Sequence, residues 1–525
     1  MRIKLAAILA FSICFLAIGQ SIAKSGTSND ELHKSYTDPP DLLNPLISQD
    51  STSWDLLRLT TESFAGRRVQ NPEEWELFLA EEWEKTETDD GKLIFDIKLR
   101  EGIKWHRVTA QTSSGDKVIE PVEFTSKDVA FSYRVVTNPD VRCPHIRSRY
   151  TDLESVKRRG KYQVRFTWAK KYFLAEQATL YFPIIPEHIY SMKEDSSPMP
   201  ADPSSAEFAT IFNGHWFNNR ICGTGAYKLE VYEPNERAAL VRNEDYWGEK
   251  PFYRKHVYHR IQEDTKAYLS FLKGELDITR LNPRQYEEIQ KRDEFKSGKV
   301  KVAAHYGLGY NYLGWNLIKP MFRDRRVRWA FAHATPRDKI IETILRNLAI
   351  RIDGPFAINS NYYDKSISPI LYDPEESRRL LEEVGWTDTD GDGIREGNVE
   401  GKRILLEFTI FILQGLEDQR KVAEILRSEY GKIGARVEVT PLVYGQYLKI
   451  LRESKYDAYI LGWSLGWKSD PYTFWHSSQI DEPESLNDVS YRNHEVDKLI
   501  ETLRYTLDEK KQIELYPLTL QKIDV

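Results

Sequence analysis

Apolar positions recur along this chain with two different periods, which predict a mixture of strands and helices. Residues 92–99, KLIFDIKL, alternate apolar and polar side chains and therefore predict a strand with one buried face. Between Val129 and Val136 the apolar side chains follow helical spacing, and Thr125 or Ser126 can cap the N-terminus of that helix. The two patterns alternate irregularly along the chain, without an internal repeat.

Two further segments predict helices, and two others predict connections. Residues 324–345 carry a helical apolar stripe, and a second helix is expected after Pro336. Residues 373–385 begin with Asp-Pro-Glu, which suits a capped helix start with proline at the first helical position, and they end with glycine. Residues 194–205, rich in Ser, Pro and Asp, predict a surface loop or a junction between lobes, and residues 107–121 predict another excursion.

The N-terminus has the layout of a secretory signal peptide. Arg2 and Lys4 precede an uncharged apolar run over residues 5–18, which is short for a membrane span. Small residues then occupy the positions that a signal peptidase reads, so residues 1–23 are the predicted signal peptide, with cleavage after Ala23. Ile13 stands before Cys14 where a lipoprotein signal needs a small residue, which argues against a lipid anchor. A periplasmic or extracellular protein is expected.

Length, charge and cysteine content narrow the possibilities further. A chain of 525 residues exceeds one ordinary domain, so two or three lobes are expected. The formal net charge of -6 argues against nucleic acid as a partner. Cys143 and Cys222 remain after the predicted cleavage, and the sequence is compatible with a disulfide between them or with two buried thiols.

The stretch from Tyr456 to Gln479 carries the most informative chemistry. An apolar lead-in at residues 458–461 predicts a buried strand, and Gly462 with Gly466 predicts that an irregular loop follows. The loop is rich in large rings around a single acid: Trp463, Trp467, Tyr472, Phe474 and Trp475, with Asp470. Such rings suit a pocket wall that holds an elongated ligand, although each ring could equally fill a core or its rim.

Many separate segments of the chain resemble one protein family. They are LAEEWE (79–84), FDIKLREGIKWH (95–106), FTSKDVAFSY (124–133), FPIIPEHI (182–189), GTGAYKL (223–229), RNEDYWG (242–248), GELDI (274–278), LGWN (313–316), FRDRRVR (322–328) and YRNHEVDKL (491–499). Their order and spacing resemble the extracytoplasmic solute-binding proteins of ABC importers, family 5, which include dipeptide, oligopeptide and nickel binders. The resemblance extends over about residues 40–515.

The resemblance implies an α/β fold of the periplasmic-binding-protein type II: a clamp of two lobes with a hinge, plus a small inserted α+β domain. The ligand would lie in the cleft between the lobes, as in a Venus flytrap. The implied boundaries are lobe I at 27–53 and 185–307, the inserted domain at 54–184, lobe II at 308–510 and a truncated segment at 511–525. Relatives continue with a return strand after the last helix, so the C-terminal return segment is expected to be missing, with Tyr516-Pro517 in place of a smooth helix.

The same resemblance implies a set of ligand-binding residues. They are Arg280, Tyr312, Trp315, Asn316, Trp463, Ser464, Trp467 and Asp470, with Tyr472 and Trp475 as further candidates. In peptide-binding relatives an acid of the tryptophan loop pairs with the ligand ammonium group, whereas the aligned position here is Trp467 or Lys468. Asp470 is then the only carboxylate in the loop. If Lys468 points inward, it would repel a cationic terminus, and an anionic, sugar-like or aromatic ligand is then as plausible as a peptide.

These observations predict a non-enzymatic substrate-binding component of an ABC importer. It would be a monomer without a cofactor or metal, and it would deliver a peptide or a similar elongated solute to the transmembrane permease subunits. A secreted glycosidase is the alternative from another class, because a tryptophan-lined cleft with two carboxylates also suits sugar hydrolysis. Binding of nickel or an oligosaccharide, or a chaperone or sensor role, on the same fold also stays open.

Other motifs in the chain are weaker. Asp388, Asp390 and Asp392 resemble the start of a calcium loop, but position twelve is Val399 instead of a glutamate, which favours an acidic turn. The glycines of the 223–229 segment predict a tight turn and lack the spacing of a phosphate loop. A G-x-S-x-G motif is absent from the sequence, and the following histidines stand apart from any metal-binding motif: His106, His188, His305, His333 and His476.

Overall fold

A computed structural model describes residues 19–24, 30–67, 74–305, 309–355, 358, 362–363, 366–465, 468–482 and 485–522. Its strands are β1 (Gly19–Lys24), β2 (Glu31–Tyr36), β3 (Ala65–Arg67), β4 (Trp75–Leu77), β5 (Ala80–Glu87), β6 (Leu93–Leu99), β7 (Val108–Thr112), β8 (Gly115–Ile119), β9 (Leu153–Gly160), β10 (Gln163–Trp168), β11 (Tyr227–Glu233), β12 (Arg237–Arg242), β13 (Lys255–Arg260), β14 (Ile278–Arg280), β15 (Val300–His305), β16 (Gly309–Trp315), β17 (Glu396–Val399), β18 (Lys402–Leu405), β19 (Glu407–Leu413), β20 (Arg436–Leu442) and β21 (Ala458–Ser464).

The helices are α1 (Ser51–Thr60), α2 (Ser126–Thr137), α3 (Pro144–Arg147), α4 (Ala175–Leu180), α5 (Glu187–Tyr190), α6 (Ala206–Asn213), α7 (Asp264–Lys273), α8 (Pro283–Ile289), α9 (Asp293–Lys296), α10 (Pro320–Arg323), α11 (Arg325–His333), α12 (Arg337–Thr343), α13 (Pro374–Glu383), α14 (Glu417–Gly431), α15 (Tyr444–Arg452), α16 (Tyr472–Trp475), α17 (His494–Arg504) and α18 (Glu509–Lys522). Short 3₁₀ turns lie at Ser148–Tyr150 and Ser477–Gln479. None of the helices in these ranges combines the length and the hydropathy that a membrane crossing requires.

The chain forms two compact units. Unit 1 takes its described residues from 1–26 and 279–469, and unit 2 from 27–278 and 470–522. The division at Ser469 falls inside the aromatic stretch singled out above, so that stretch contributes to both units. The finer division into two lobes and an inserted domain, with the boundaries predicted from the sequence, stays a prediction.

Unit 1 is built on a four-stranded sheet in the order β16-β21-β19-β20. β16 and β21 are antiparallel, whereas β19 runs parallel to both β20 and β21. One face of this sheet packs on α11, α13 and α14 through a core of aromatic and aliphatic side chains. The largest members of that core are Trp315, Phe322, Phe331, Phe408 and Tyr430.

Unit 1 also contains a three-stranded sheet in the order β14-β1-β15. β1 pairs antiparallel with β15 from Gly19↔His305 to Lys24↔Val300. The predicted signal-peptide cleavage after Ala23 lies inside this central strand, so processing there would remove all of β1 except its last residue.

Unit 2 contains two larger sheets, in the orders β5-β6-β10-β9 and β11-β12-β13-β2. A core that extends from Leu46 to Cys222 surrounds the first sheet, with Phe95, Phe166 and Trp168 fully buried. This core joins side chains from the predicted inserted domain and from the residues after 184. The second sheet packs on α1 through a smaller core.

Several local predictions are confirmed. β6 occupies the alternating segment near residue 95, and its side chains alternate between buried and half-buried. Thr125 caps α2 in a capping box with Asp128, because each accepts a backbone hydrogen bond that the first helical turn leaves unpaired. The helices α11, α12 and α13 begin where their capping residues and prolines predicted.

Two further local predictions are wrong and one is confirmed. The excursion predicted at 107–121, between a strand and a helix, is present as a regular hairpin of β7 and β8 between β6 and α2. β21 continues through Gly462 to Ser464, so an irregular loop does not begin at Gly462. α18 continues as a helix through Pro517, so proline there does not interrupt the helix.

The glycines at 223 and 225 are required by close backbone packing. A Cβ at Gly223 would overlap the carbonyl oxygen of Thr60, and one at Gly225 would lie 2.8 Å from the Thr60 carbonyl carbon. The Gly225 N–H donates to that Thr60 oxygen at 3.0 Å. The side chain of His106 lies beside the same turn, with Nε2 2.8 Å from the Gly225 carbonyl oxygen. The motif therefore joins the end of α1 to the second sheet.

Replacing Gly223 with alanine should destabilise the protein by about 3 kcal/mol, because the new methyl group must displace backbone atoms of Thr60. Urea unfolding followed by circular dichroism measures the change. Gly214→Ala is the matched control, because nothing lies within 4 Å of a Cβ at that position. Equal midpoints for the two variants would contradict this account of the motif.

Candidate functional site

The antiparallel pair β16 and β21 presents an aromatic face in unit 1. The register opposes Tyr310 to Trp463 and Tyr312 to Leu461. Residues opposed in this way share one side of the sheet, because side chains alternate between the two faces along a strand. We call Tyr310, Tyr312, Leu461 and Trp463 the aromatic face. All four are half-buried, which leaves part of each side chain accessible.

The opposite side of the same two strands faces the core. Leu313 and Trp315 on β16 and Ala458 and Ile460 on β21 belong to, or pack on, the core described for unit 1. A one-residue change of register would exchange the two sets. The aromatic face therefore depends on the pairing of β16 with β21.

Contacts among tyrosine rings hold Tyr312 in place where the aromatic face meets the buried Tyr459. The ring of Tyr312 lies 5.7 Å from that of Tyr310 and 5.7 Å from that of Tyr459, and its hydroxyl is 3.1 Å from the Tyr459 hydroxyl. Tyr459 is fully buried and lies across Gly314, where a Cβ would be only 2.6 Å from the Tyr459 ring. Burial raises the pKa of Tyr310, so its phenol stays neutral.

Gly462 has a packing role between the same strands. A Cβ on Gly462 would lie 2.5 Å from Oδ1 of Asn311, its partner across the ladder. Because Gly462 has no side chain, the Asn311 amide can pack against its backbone. The two strands can therefore stay paired past Gly462, and β21 extends to Ser464.

Two of the predicted ligand residues lie beneath the surface of unit 1. Trp315 is 5% exposed and stacks among core rings, with the nearest ring centroid, that of Phe322, at 4.8 Å. Asn316 is 1% exposed, and its amide donates to the carbonyl oxygens of Ser454 and Tyr456. These contacts stabilise the turn after β16. A direct role in ligand binding stays a prediction for both, and the geometry does not favour it.

Asp470 belongs to a buried charge network in unit 2. Its Oδ2 accepts a hydrogen bond from the Tyr172 hydroxyl at 2.8 Å and lies 3.1 Å from Nε of Arg504. Its Oδ1 accepts the Tyr472 N–H at 3.0 Å. The Asp470 and Arg504 side chains are only 7% and 4% exposed. The carboxylate is therefore fully used within the protein, whereas the sequence had suggested that it was available to a ligand.

Arg504 is held by rings as well as by charge. Its guanidinium carbon lies 4.8 Å from the Tyr172 ring centroid and 4.3 Å from that of Tyr472. Burial lowers the pKa of Arg504, but Asp470, Tyr172 and Asp152 together outweigh burial, and the pKa is raised. The Arg504 guanidinium also donates to the Ser148 carbonyl oxygen at 2.8 Å. The network thus ties α16 and α17 to the 3₁₀ turn at Ser148–Tyr150.

The remaining predicted residues have varied environments. Arg280 is exposed at the end of β14, and Ser464 is exposed at the end of β21. Trp467 lies outside the described residues. Tyr472 stacks on His476 at 4.3 Å, and Trp475 is half-buried with its ring 5.7 Å from that of Tyr491.

Lys468 supplies a positive charge in unit 1. Its Nζ lies 5.8 Å from the ring centroid of Tyr362, a cation–π distance. Tyr362 is buried, and the sequence analysis did not single it out. A lysine in the aromatic stretch thus lies over a buried ring.

The acidic segment at Asp388, Asp390 and Asp392 forms a turn. The carboxylates of Asp388, Asp390 and Asp392 come within 4.8 Å of one another and are exposed, and Asp388 accepts the N–H groups of Gly391 and Gly393, as expected for an acidic turn.

His106, Cys143 and Cys222 are buried in unit 2, and the two cysteines belong to its larger core. Burial lowers the pKa of His106 to about 4, which keeps this core imidazole neutral. Cys143 and Cys222 are buried free thiols, so the structure has the second of the two alternatives that the sequence left open.

Sequence analysis did not name Tyr310 as a site residue. The signal was present, because Tyr310 and Tyr312 alternate along β16 as Trp463 and Leu461 do along β21. Reading that signal required the antiparallel register, which opposes Tyr310 to Trp463.

Comparison with known proteins identifies the family of this α/β protein. A family model described as bacterial extracellular solute-binding proteins, family 5 middle, matches residues 74–482. The chain belongs to this family, whose members are substrate-binding proteins, and its fold is the type II periplasmic-binding-protein fold.

The relatives include proteins that are named for peptide binding. The oligopeptide-binding protein AppA of Bacillus subtilis (strain 168) is 27% identical over 495 residues, which cover 92% of this chain and 82% of AppA. The structure of AppA in complex with a nonapeptide superposes with a TM-score of 0.80 and 27% identity, and covers 94% of this chain and 90% of that one. The dipeptide-binding protein of Escherichia coli (strain K12) is 24% identical over 457 residues, covering 83% of this chain and 77% of the relative.

Replacing Asp470 with asparagine should destabilise unit 2 by about 3 to 5 kcal/mol, because Arg504 would stay buried without its charge partner. Thermal and urea unfolding measure this loss, and Asp481→Asn, whose ion pair with Arg492 is exposed, should leave the midpoint unchanged. Solute affinity of the folded D470N protein should match that of the wild type. A large loss of affinity at unchanged stability would instead assign Asp470 to the ligand site.

Proposed function

We propose that this protein binds peptides, or a similarly elongated solute, outside the cytoplasm and delivers them to the transmembrane permease subunits of an ABC importer. Membership of the solute-binding family supports capture without chemistry. Similarity over nearly the whole chain to AppA, whose structure holds a nonapeptide, supports a peptide as the solute. The observation that carries the proposal is the aromatic face on β16 and β21.

The aromatic face suits ligands of varied sequence. Rings of tyrosine and tryptophan offer large, rigid surfaces that gain from stacking and dispersion without demanding one side chain. Such a surface can bind peptides of different sequence, as a transport protein for peptides must.

The position of β16 favours an extended chain over a compact solute. β16 is one of the two edge strands of its four-stranded sheet, and β20 is the other. An edge strand offers backbone N–H and C=O groups, and an extended peptide can pair with them while its side chains contact the flanking surface.

Calorimetric titration with synthetic nonapeptides tests the proposal directly. We expect saturable binding of one peptide per chain and, in parallel assays with a panel of glycosides, no turnover. Native mass spectrometry of the freshly purified protein should detect co-purified peptide. Turnover of a glycoside, or binding of an oligosaccharide in place of every nonapeptide, would reject the proposal.

Trp463→Ala should weaken nonapeptide binding by about 1 to 3 kcal/mol, because it removes the largest ring of the aromatic face. The measurement is the dissociation constant from the same titration. Trp329→Ala is the matched control, since Trp329 lies on α11 in the same unit and is 39% exposed. If both variants bind as the wild type does, the peptide site lies elsewhere.

Export is part of the proposal, with residues 1–23 as the signal peptide. Expression of the full chain in a bacterial host should give an exported protein whose first residue is Lys24, as read by intact-mass spectrometry. Ala23→Arg should block this processing, because signal peptidase requires a small residue there. An exported protein that retains residue 1 would contradict the predicted cleavage.

A further inference from the structure

The turn between β9 and β10 in unit 2 concentrates positive charge on the surface. Residues 157–161 read Lys-Arg-Arg-Gly-Lys and contain no carboxylate. The four cationic side chains are exposed, and so is Lys127, at the start of α2. We call these five cationic residues the basic turn. The chain as a whole has a formal net charge of -6, so this positive charge is a local feature.

Hydrogen bonds hold the basic turn against the N-terminus of α2. The Ser126 N–H donates to the Lys161 carbonyl oxygen at 2.9 Å, and the Ser126 hydroxyl donates to the Gly160 carbonyl oxygen at 2.6 Å. Nε of Arg158 in turn donates to the Ser126 hydroxyl oxygen at 3.0 Å. These contacts bring Lys127 beside the cations of the turn. The N-terminal end of a helix carries partial positive charge, which adds to theirs.

Neighbouring carboxylates neutralise only part of the basic turn. Glu123 pairs with Nζ of Lys161 at 2.7 Å. Asp128 is buried at the start of α2, where its carboxylate accepts the N–H groups of Thr125 and Glu187. In the part of the chain that the structure describes, the remaining side chains of the basic turn have no ion-pair or hydrogen-bond partner; they are Lys127, Lys157 and Arg159. Three exposed cations are therefore available to an external partner.

The chemistry of the basic turn suits a lipid surface better than a protein partner. β9 is an edge strand of its sheet, so the turn that follows it is open to large partners. Centres of protein interfaces are poor in lysine and rich in aromatic residues, whereas every member of the basic turn is a lysine or an arginine. Clusters of such residues are attracted to anionic lipids. We propose that the basic turn binds the anionic surface of a phospholipid membrane.

A contact of this kind gives the exported protein a reversible hold on the membrane. Its biological use rests on the proposed function, which brings the protein to permease subunits embedded in a membrane. Ile13 before Cys14 argues against a lipid anchor, so another attraction is needed to concentrate the protein there. Long-range attraction between the cations and lipid phosphates supplies it without a fixed orientation, and it weakens as salt screens the charges.

Cosedimentation of the exported protein with phospholipid vesicles tests the inference. We expect binding to vesicles that contain phosphatidylglycerol, no binding to vesicles of phosphatidylcholine alone, and release at about 0.5 M sodium chloride, where charges are strongly screened. The triple variant Lys127→Gln, Lys157→Gln, Arg159→Gln should lower the partition coefficient at least tenfold, because each cation near an anionic surface contributes to binding. These three side chains make no contact that holds the fold, so the urea midpoint should stay that of the wild type.

A charge-matched control separates the basic turn from the net charge of the protein. Lys291→Gln, Lys299→Gln and Lys449→Gln together remove three exposed cations of unit 1 and should leave vesicle binding unchanged. Equal binding to both kinds of vesicle, or phosphatidylglycerol binding that the first triple variant retains, would overturn the inference. Calorimetric binding of inorganic phosphate as tight as vesicle binding would also overturn it, because a discrete anion site would then explain the data. Nonapeptide affinity is a separate readout that bears only on the proposed function.

Discussion

The pairing of β16 with β21 is the interaction on which the proposed site depends. The two strands contribute one face to the aromatic core of unit 1 and leave Tyr310, Tyr312, Leu461 and Trp463 on the other. Both faces are specified together, because burial of Trp315 on one side sets which residues can lie on the other. Two glycines make the pairing possible at close range: Gly314 admits the Tyr459 ring, and Gly462 admits the Asn311 amide.

Charge is used differently in the two units. In unit 2 the Asp470–Arg504 ion pair is buried, and the Tyr172 hydroxyl donates a hydrogen bond to Asp470. Every described contact of this pair is with another group of the protein. In unit 1 the aromatic face carries no ionisable group other than phenols, and Lys468 lies over a ring. Recognition by the aromatic face would therefore rest on stacking, on backbone pairing and on few charges. This balance suits a transport protein that accepts ligands of many sequences.

The sequence alone determined local structure and family. Alternation at β6, the capping box of α2 and the Asp-Pro start of α13 are short-range signals, and each formed as predicted. Only the tertiary structure decided which aromatic and charged residues are available to a ligand. The sequence suggested Trp315, Asn316 and Asp470 as ligand-binding residues in the same way as Trp463. In the structure, contacts with residues distant in sequence bury these three side chains. Availability depends on partners far away in the chain, such as Tyr172 and Arg504 for Asp470, and periodicity or composition cannot locate those partners.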